Sequence, residues 1–255
     1  MELIVEQFVR PLRDGSGIRI VRVNPQGQIL DVLSDRQGLG SAEPSPDGNW
    51  VLLERYDSKG LQGIQVRSLD GFRLRTDHPE PTGRDTGSLG TSPVWSPDES
   101  RFALALNAPN LSKPGRLYPR LAIVSRDTTG YTRVPDSPPG KDPVQGGVIP
   151  LFWKKDGIYV RTTTIGSGVL RCDPEGSGCV GVYSPGENRM VLEGREVAGD
   201  KALLLVKDFT VNPLEARASE IHEVNLIIGE GRVLFRAPDG VFLSDLDWVG
   251  DPVAS

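Results

Sequence analysis

The fold is decided by one stretch of the chain, Pro93-Val94-Trp95-Ser96-Pro97-Asp98-Glu99-Ser100-Arg101-Phe102-Ala103-Leu104. A short apolar run ends in Trp95, a Ser-Pro-Asp turn follows, and a second apolar run begins at Phe102. Proline presets the φ angle of a tight turn, aspartate bonds back to its own backbone, and Gly or another small residue takes the position with φ above zero. Flanking runs of β-branched and aromatic residues predict strands, so the stretch predicts a strand-turn-strand unit.

This unit recurs along the chain. A second close copy begins at Pro44, and weaker copies lie near Trp153, near Asp200 and, truncated, at Trp248. The turn aspartate is present in every copy, at Asp47, Asp98, Asp156, Asp200 and Asp251. These positions are 51, 58, 44 and 51 residues apart, and joining the two ends of the chain would add a further interval of 51. A repeat of about 40–50 residues is typical of propeller blades, and a radial array of blades leaves only short sheet edges.

The motif resembles the TolB-type propeller repeat, in which a strand ends in Trp-Ser-Pro-Asp-Gly before another strand begins. Residues 92–104 and 44–54 match it well, 151–160 and 245–252 match in part, and 195–205 match least. The resemblance implies an all-β fold, a β-propeller of four-stranded blades. Five blades are favoured by the spacing of the motif, and six is the alternative because TolB-like propellers usually have six.

The two ends of the chain are expected to complete one blade together. Three apolar runs, at 2–10, 17–24 and 27–33, precede the first motif, which leaves that blade one strand short. The run at 243–249 supplies the missing strand. We therefore expect a single β-propeller domain over residues 1–255, with its ring closed by strands from both termini.

Charge and hydropathy exclude several classes of partner. The net charge is −5 with no basic block, which argues against nucleic acid because phosphate neutralisation needs clustered Lys and Arg. No run of 18 apolar residues is present, so the sequence predicts no transmembrane segment. The N-terminus lacks the basic region of a signal peptide. The protein is therefore either cytoplasmic, or a signal or anchor has been removed ahead of this chain.

The two cysteines bear on the compartment. Cys172 and Cys179 flank a Gly-containing turn between two strand-like runs, where they can lie within disulfide distance as cross-strand neighbours. The alternative is a pair of idle thiols, which a cytoplasmic protein would tolerate. We favour a disulfide and hence a periplasmic or extracellular location.

Few residues form a catalytic pattern. The motif tryptophans Trp95, Trp153 and Trp248 recur at a fixed place before the turn, which favours packing between blades over ligand stacking. The two histidines are His78, in a loop, and His222, which alternates with apolar residues on a predicted strand. No Gly-x-Ser-x-Gly elbow is present, so a Ser-His-Asp hydrolase is not indicated.

Three carboxylates occupy equivalent positions in the repeats. The residue just before the motif Trp position is Glu43, Val94, Phe152, Glu196 and Asp247 in the five copies. This strand lines the central channel of a propeller, so Glu43, Glu196 and Asp247 are candidate ligand- or cation-binding residues. Three close carboxylates repel one another unless a cation or a basic group compensates, and Ca²⁺ prefers oxygen ligands. The alternatives are simple solvation in a wet channel, or a one-residue register shift that would turn the three side chains into the blade interfaces.

The sequence thus leads to three functional hypotheses. The first is a non-enzymatic, TolB-like binding or scaffolding module that engages a protein or peptide through its loop face or channel mouth. It needs no cofactor except a Ca²⁺ ion in the central channel. The second is a five-bladed propeller glycoside hydrolase or lyase that uses channel carboxylates. The third is a sensor or accessory domain of a larger membrane-anchored protein.

Overall fold

The computed structural model describes most of the chain. The residues it describes are 3–12, 15–24, 26, 28–34, 39–57, 60–79, 93–109, 117–134, 147–166, 168–175, 178–197, 199–210, 219–238 and 243. Across these ranges the regular structure consists of strands, and they contain no helix of the length and apolar character needed to cross a bilayer.

The strands form five antiparallel sheets, each made of consecutive segments of chain. Blade 1 contains β1 (Leu3–Leu12), β2 (Gly15–Val23) and β3 (Ile29–Ser34). Blade 2 contains β4 (Leu39–Pro44), β5 (Trp50–Asp57), β6 (Gly60–Ser68) and β7 (Leu74–Pro79). Blade 3 contains β8 (Val94–Trp95), β9 (Arg101–Pro109), β10 (Leu117–Ser125) and β11 (Thr132–Arg133). Blade 4 contains β12 (Val148–Lys154), β13 (Gly157–Thr162), β14 (Val169–Asp173) and β15 (Gly178–Tyr183). Blade 5 contains β16 (Arg189–Val197), β17 (Lys201–Asp208), β18 (Glu220–Asn225) and β19 (Gly231–Arg236). Within each blade, neighbours in sequence are neighbours in the sheet.

The Ser-Pro-Asp turn joins the first two strands of a blade by side-chain hydrogen bonds. In blade 2, Ser45 Oγ donates to Asp47 Oδ1 at 2.6 Å, and the backbone N–H of Asn49 donates to the same carboxylate oxygen at 2.8 Å. In blade 3, Ser96 Oγ donates to Asp98 Oδ1 at 2.6 Å. The serine and aspartate of the motif therefore form the same hydrogen bond in both copies, and the turn forms as the sequence predicts.

The residue after the turn aspartate differs between the two copies. Gly48 has a φ of 72°, whereas Glu99 holds the equivalent position with a φ of 58°, which is uncommon for a side chain with a Cβ. The Glu99 side chain is bound in return, because the backbone N–H of Asp47 donates to its Oε1 at 2.6 Å across the boundary of blades 2 and 3. Burial and the neighbouring Asp47 raise the pKa of Glu99. For Asp47, burial acts in the opposite direction to the hydrogen bonds from Ser45 and Asn49, and the net result lowers its pKa to about 2.

Apolar side chains fill the spaces between neighbouring blades. Trp95 packs with Leu52, Ile64 and Val66 of blade 2, and its indole N–H donates to the backbone carbonyl of Glu43 at 3.0 Å. Trp153 packs against blade 3 in the same way. The prediction that the motif tryptophans lie between blades is thus confirmed for these two, whereas Trp248 lies outside the described residues.

The first strands of three blades each contain a β-bulge. The register shifts lie between Gly40 and Ala42, between Pro150 and Phe152, and between Val191 and Glu193. A bulge inserts one extra residue and reverses the alternation of side chains beyond it. Counting back from the turn therefore follows the alternation of side chains only as far as the bulge.

The two cysteines form the predicted disulfide. Cys172 and Cys179 are directly opposite each other on β14 and β15, and their sulfur atoms are bonded. Both side chains are buried and belong to the apolar cluster between blades 3 and 4.

The closure of the ring falls largely outside the described residues. Blade 1 has three described strands, as the sequence predicts for the N-terminal part of that blade. Of the predicted closing strand at 243–249, the structure describes residue 243, which takes part in an isolated β-bridge. Closure by both termini, and with it the number of blades, stays a prediction.

Candidate functional site

A cavity of about 220 Å³ lies where blades 2 to 5 meet. Its walls come from the first strands of these blades and from β13, and they include the apolar residues Val94, Pro150 and Leu192. In a propeller the first strands of the blades surround the central channel, and the first strands of four blades contribute to this cavity. The volume corresponds to roughly seven water molecules at about 30 Å³ each, so it suits a chain end or a small ring and not a folded domain.

Four charged side chains of both signs line this cavity: Glu43 on β4, Arg161 on β13, and Glu193 and Arg195 on β16. The Arg195 guanidinium lies 4.0 Å from the Glu43 carboxylate and 3.8 Å from that of Glu193. Burial lowers the pKa of Arg161, and the negative charge of Glu193 partly offsets this effect. Positive and negative groups therefore alternate around the cavity, and its charge is close to balanced.

The structure describes two of the three predicted carboxylates, Glu43 and Glu196. Glu43 lines it, as the sequence predicts. Glu196 does not line it: its carboxylate lies 3.0 Å from Lys154 Nζ, on the boundary of blades 4 and 5. Asp247 lies outside the described residues. The neighbouring residue Arg195 faces the cavity in place of Glu196, because adjacent residues on a strand point to opposite sides.

Two of the four charged residues are a pair that the sequence analysis missed. Glu193 and Arg195 are two residues apart on β16, the spacing of side chains on one face of a strand. A search for charged residues at alternate positions of the predicted inner strand would have found them. Both residues lie on the regular part of β16, between the bulge and the turn.

Among the described residues, no group of three or more His, Cys, Asp or Glu side chains could hold a metal ion. Asp247, one of the three ligands of the predicted cation site, lies outside these residues. Within the cavity, the Arg195 guanidinium lies 4.0 Å from the Glu43 carboxylate. A basic group at this place offsets the negative charge of the carboxylate, as a cation would.

A second polar cluster lies between blades 4 and 5. The buried carboxylate of Glu220 is 2.8 Å from His222 Nε2, and it accepts hydrogen bonds from Arg189 at 3.1 Å and Arg236 at 2.8 Å. The hydroxyl of Tyr183 lies 2.6 Å from the other ring nitrogen of His222. Burial would raise the pKa of Glu220, but the hydrogen bonds from His222 and Arg236 lower it overall. Tyr183 belongs to blade 4 and the other members to blade 5, so the Tyr183–His222 contact joins the two blades.

The other histidine is also a residue of a blade boundary. His78, on β7, is completely buried, and its ring packs edge-on against Phe102 and Tyr131 of blade 3. Neither ring nitrogen has a hydrogen-bond partner in the part of the chain that the structure describes. Burial lowers the pKa of His78 to about 4, so the ring is neutral at pH 7.

Comparisons with known proteins bear on the fold. No family model matches the chain, and no curated protein matches it. Among solved structures, the chain is similar to an oligogalacturonate lyase from Vibrio parahaemolyticus, with 10% sequence identity over 93% of this chain and a TM-score of 0.61. The fold is a β-propeller. An oligogalacturonate lyase in complex with manganese is similar at 13% identity, 93% coverage and a TM-score of 0.61. The acylaminoacyl peptidase of Pyrococcus horikoshii is similar at 9% identity, 91% coverage and a TM-score of 0.52.

These likenesses have a limited reach. The propeller chain spans 62% of the length of either lyase and 36% of the peptidase. At identities of 9–13% they concern the fold, and function has to be argued from the site. The TolB-type resemblance of the turn motif stays a prediction.

Proposed function

We propose that this chain is a non-enzymatic propeller that binds a protein or peptide partner at its central cavity. The observation that carries the proposal is the lining of the cavity, in which Glu43, Arg161, Glu193 and Arg195 alternate in sign between apolar walls. A few polar groups within an apolar, concave surface are the usual composition of a binding site. Charges of both signs suit the backbone and side chains of a peptide segment.

The proposal includes the setting of the module. We propose that residues 1–255 form one propeller domain of five blades, closed by a strand at 243–249, and that it works in the periplasm or outside the cell. The buried disulfide supports the location, since structural disulfides persist in oxidising compartments. The module would belong to a larger assembly as a binding or scaffolding part.

The second candidate is a lyase or glycoside hydrolase. The likeness to oligogalacturonate lyases and the two carboxylates in the cavity favour it. However, glycosidase chemistry needs one carboxyl group that acts as an acid and a second as base or nucleophile, and both cavity carboxylates lie within 4.0 Å of the same arginine, Arg195. The manganese of the relative has no counterpart set of ligands among the described residues, so we derive no step through a metal.

The test is to block the cavity. A display library of random peptides is panned against the wild-type protein, and the enriched peptides are then measured against Leu192→Trp, which places an indole in the cavity wall. The matched control is Ile165→Trp, at a turn residue that is 55% exposed and does not line the cavity. Binding that is lost in Leu192→Trp and kept in Ile165→Trp supports the proposal. Equal binding to all three proteins contradicts it.

The enzyme hypothesis has its own assay. The protein is incubated with oligogalacturonate, with and without Mn²⁺, and the ultraviolet absorbance of an unsaturated product is followed. Turnover that disappears in Glu43→Gln and Glu193→Gln would replace the binding-module proposal with the lyase.

A further inference from the structure

The two arginines of the central cavity donate no hydrogen bond to any residue that the structure describes. Among the described residues, the charged neighbours of Arg195 are two carboxylates at 3.8 and 4.0 Å, beyond the roughly 2.7–3.2 Å of an N–H···O hydrogen bond. The charged neighbour of Arg161 in the same part of the chain is Glu193. Both guanidinium groups line the same cavity. Their guanidinium donors therefore lie at the wall of a cavity that a ligand can enter.

Unpaired guanidinium donors in a partly buried site call for an acceptor. A carboxylate that replaces water at these donors forms charge-assisted hydrogen bonds, which are stronger than those to neutral acceptors. It matches the planar fork of a guanidinium with two parallel hydrogen bonds, which is the geometry that arginine recognises best. Among the described residues, three lysines or arginines on the boundaries of neighbouring blades already have a carboxylate within 3.2 Å: Arg75, Arg101 and Lys154. Arg161 and Arg195 differ from these residues because no carboxylate of the described residues lies within hydrogen-bonding distance of them.

The carboxylates in the cavity limit the charge of the ligand. Glu43 and Glu193 leave the lining with two positive and two negative side chains, so each further negative charge meets repulsion as well as attraction. A single carboxylate can take the unused donors of Arg161 and Arg195. A phosphate dianion would bring twice the repulsion into the same volume. The volume of about 220 Å³ further restricts the ligand to a chain end or one sugar ring.

We infer that Arg161 and Arg195 together bind the carboxylate group of a ligand whose end enters the central cavity. The inference rests on the proposed function, because it takes this cavity to be the binding site. The shared chemistry is a monocarboxylate on a small unit, and its sources are the C-terminus of a peptide or the acid group of a uronate. Glu43 and Glu193 hold the arginines in place while the cavity is empty and leave the hydrogen-bond donors for the ligand.

The experiment compares probes that differ only in the carboxylate. The peptide probes are N-acetyl-trialanine with a free C-terminus and the same peptide as its C-terminal amide, and the sugar probes are digalacturonate and its methyl ester. Binding to the full chain is measured by calorimetry and by the NMR signals of the arginine Nε–H groups. We expect the free acid of one pair to bind and its neutral partner not to bind, with shifts at the signals of Arg161 and Arg195.

Variants then assign the effect to the two arginines. Arg161→Gln and Arg195→Gln should each weaken binding of the acid by roughly 10- to 100-fold, the range for a hydrogen bond to a charged group. Arg161→Lys keeps the charge without the fork and should lie between Arg161→Gln and the wild type. Arg232→Gln is the matched control, because Arg232 is 70% exposed and pairs with Glu223 away from the cavity. It should leave binding unchanged.

The outcomes separate this inference from the proposed function. Equal binding of acid and neutral probe, no binding of either acid, or acid binding that survives in both Arg→Gln variants overturns the inference. If displayed peptides bind the wild type and not Leu192→Trp, the proposed function stands even where the carboxylate inference fails. If the sugar acid binds through the arginines and no peptide does, the carboxylate site stands and the peptide-binding proposal fails. Because the two arginine variants are read separately, a folding defect in one leaves the other as the test.

Discussion

The burial of His78 gives a stability prediction with a definite sign in pH. The ring is completely buried, and burial lowers its pKa from 6.5 to about 4, with Asp77 opposing the effect. In the unfolded chain the imidazole takes up a proton near pH 6.5, while in the folded chain it does so only near pH 4. The unfolded state therefore binds more protons in this window, and folding stability falls as the pH is lowered. Above about pH 6.5 the contribution of His78 to stability is fully present.

The size of this effect follows from the two pKa values. Each tenfold change in a protonation equilibrium corresponds to about 1.4 kcal/mol, so the fall from 6.5 to about 4 predicts a loss of about 3 kcal/mol between pH 6.5 and 4. Replacing His78 by Leu removes this loss. It also removes a donor and an acceptor that have no partner among the described residues, each costing about 1–3 kcal/mol. Strain from the changed shape offsets part of that gain by about 1 kcal/mol.

The assay is urea denaturation of the wild type, His78→Leu and His78→Gln at several values between pH 7 and pH 4. Glutamine does not titrate but keeps a polar group in the site, so it separates the loss of the proton from the loss of the unpaired donor and acceptor. Relative to that of the wild type, the free energy of unfolding of both variants should rise by about 3 kcal/mol as the pH falls. At pH 7, only His78→Leu should be more stable than the wild type. A difference between wild type and variants that does not change with pH would refute the reasoning.

Three further predictions concern the turns and the ends of the chain. Replacing Cys172 and Cys179 by Ala should lower the free energy of unfolding by about 2–3 kcal/mol in the chain-entropy model; an unchanged urea midpoint would argue against it. Glu99→Ala should cost about 1.5–3 kcal/mol because the bond from the Asp47 N–H is lost, and Glu99→Gly should cost about 1 kcal/mol less because Gly adopts this φ freely. If the glycine variant is the less stable of the two in thermal melts, the account of this turn is wrong. Deleting 243–255 should abolish cooperative unfolding by opening a blade, and a truncated protein with the wild-type melting curve would exclude closure by both termini.

The sequence predicted the strands of the propeller closely, because the turns carry most of the information. Proline, aspartate and glycine have backbone preferences that do not depend on distant contacts, and the predicted runs at 50–56, 101–107 and 201–207 lie within β5, β9 and β17. Blade 5 forms even though Val197 replaces the motif tryptophan. Its strand β17 is identified by a continuous apolar run, in which Ala202, Leu204, Leu205 and Val206 are buried.

The lining of the cavity was harder to predict, because it depends on side-chain direction within a strand. The motif does not say which face of the strand turns to the channel, and a shift of one residue exchanges the two faces of a strand. The sequence placed Glu43 at the channel, where it is found, and placed Glu196 there in the position that Arg195 occupies. Arg161 belongs to a second strand, which the motif does not mark at all. The pairing of Glu99 with Asp47 also needed three-dimensional information, since the two residues are 52 positions apart.

The position of the disulfide has a kinetic consequence. Cys172 is fully buried and Cys179 is 5% exposed, inside the apolar layer between blades 3 and 4. Thiol–disulfide exchange requires an attacking thiolate to reach one of the sulfur atoms, so a reductant has to wait until blade 4 separates from blade 3. The rate of reduction in native buffer is then limited by how often that layer opens, and it becomes independent of reductant concentration once exchange outpaces closing. The rate of reduction of the Cys172–Cys179 disulfide, followed by mass spectrometry, therefore reports how often the boundary between blades 3 and 4 opens. No label has to be introduced for this measurement.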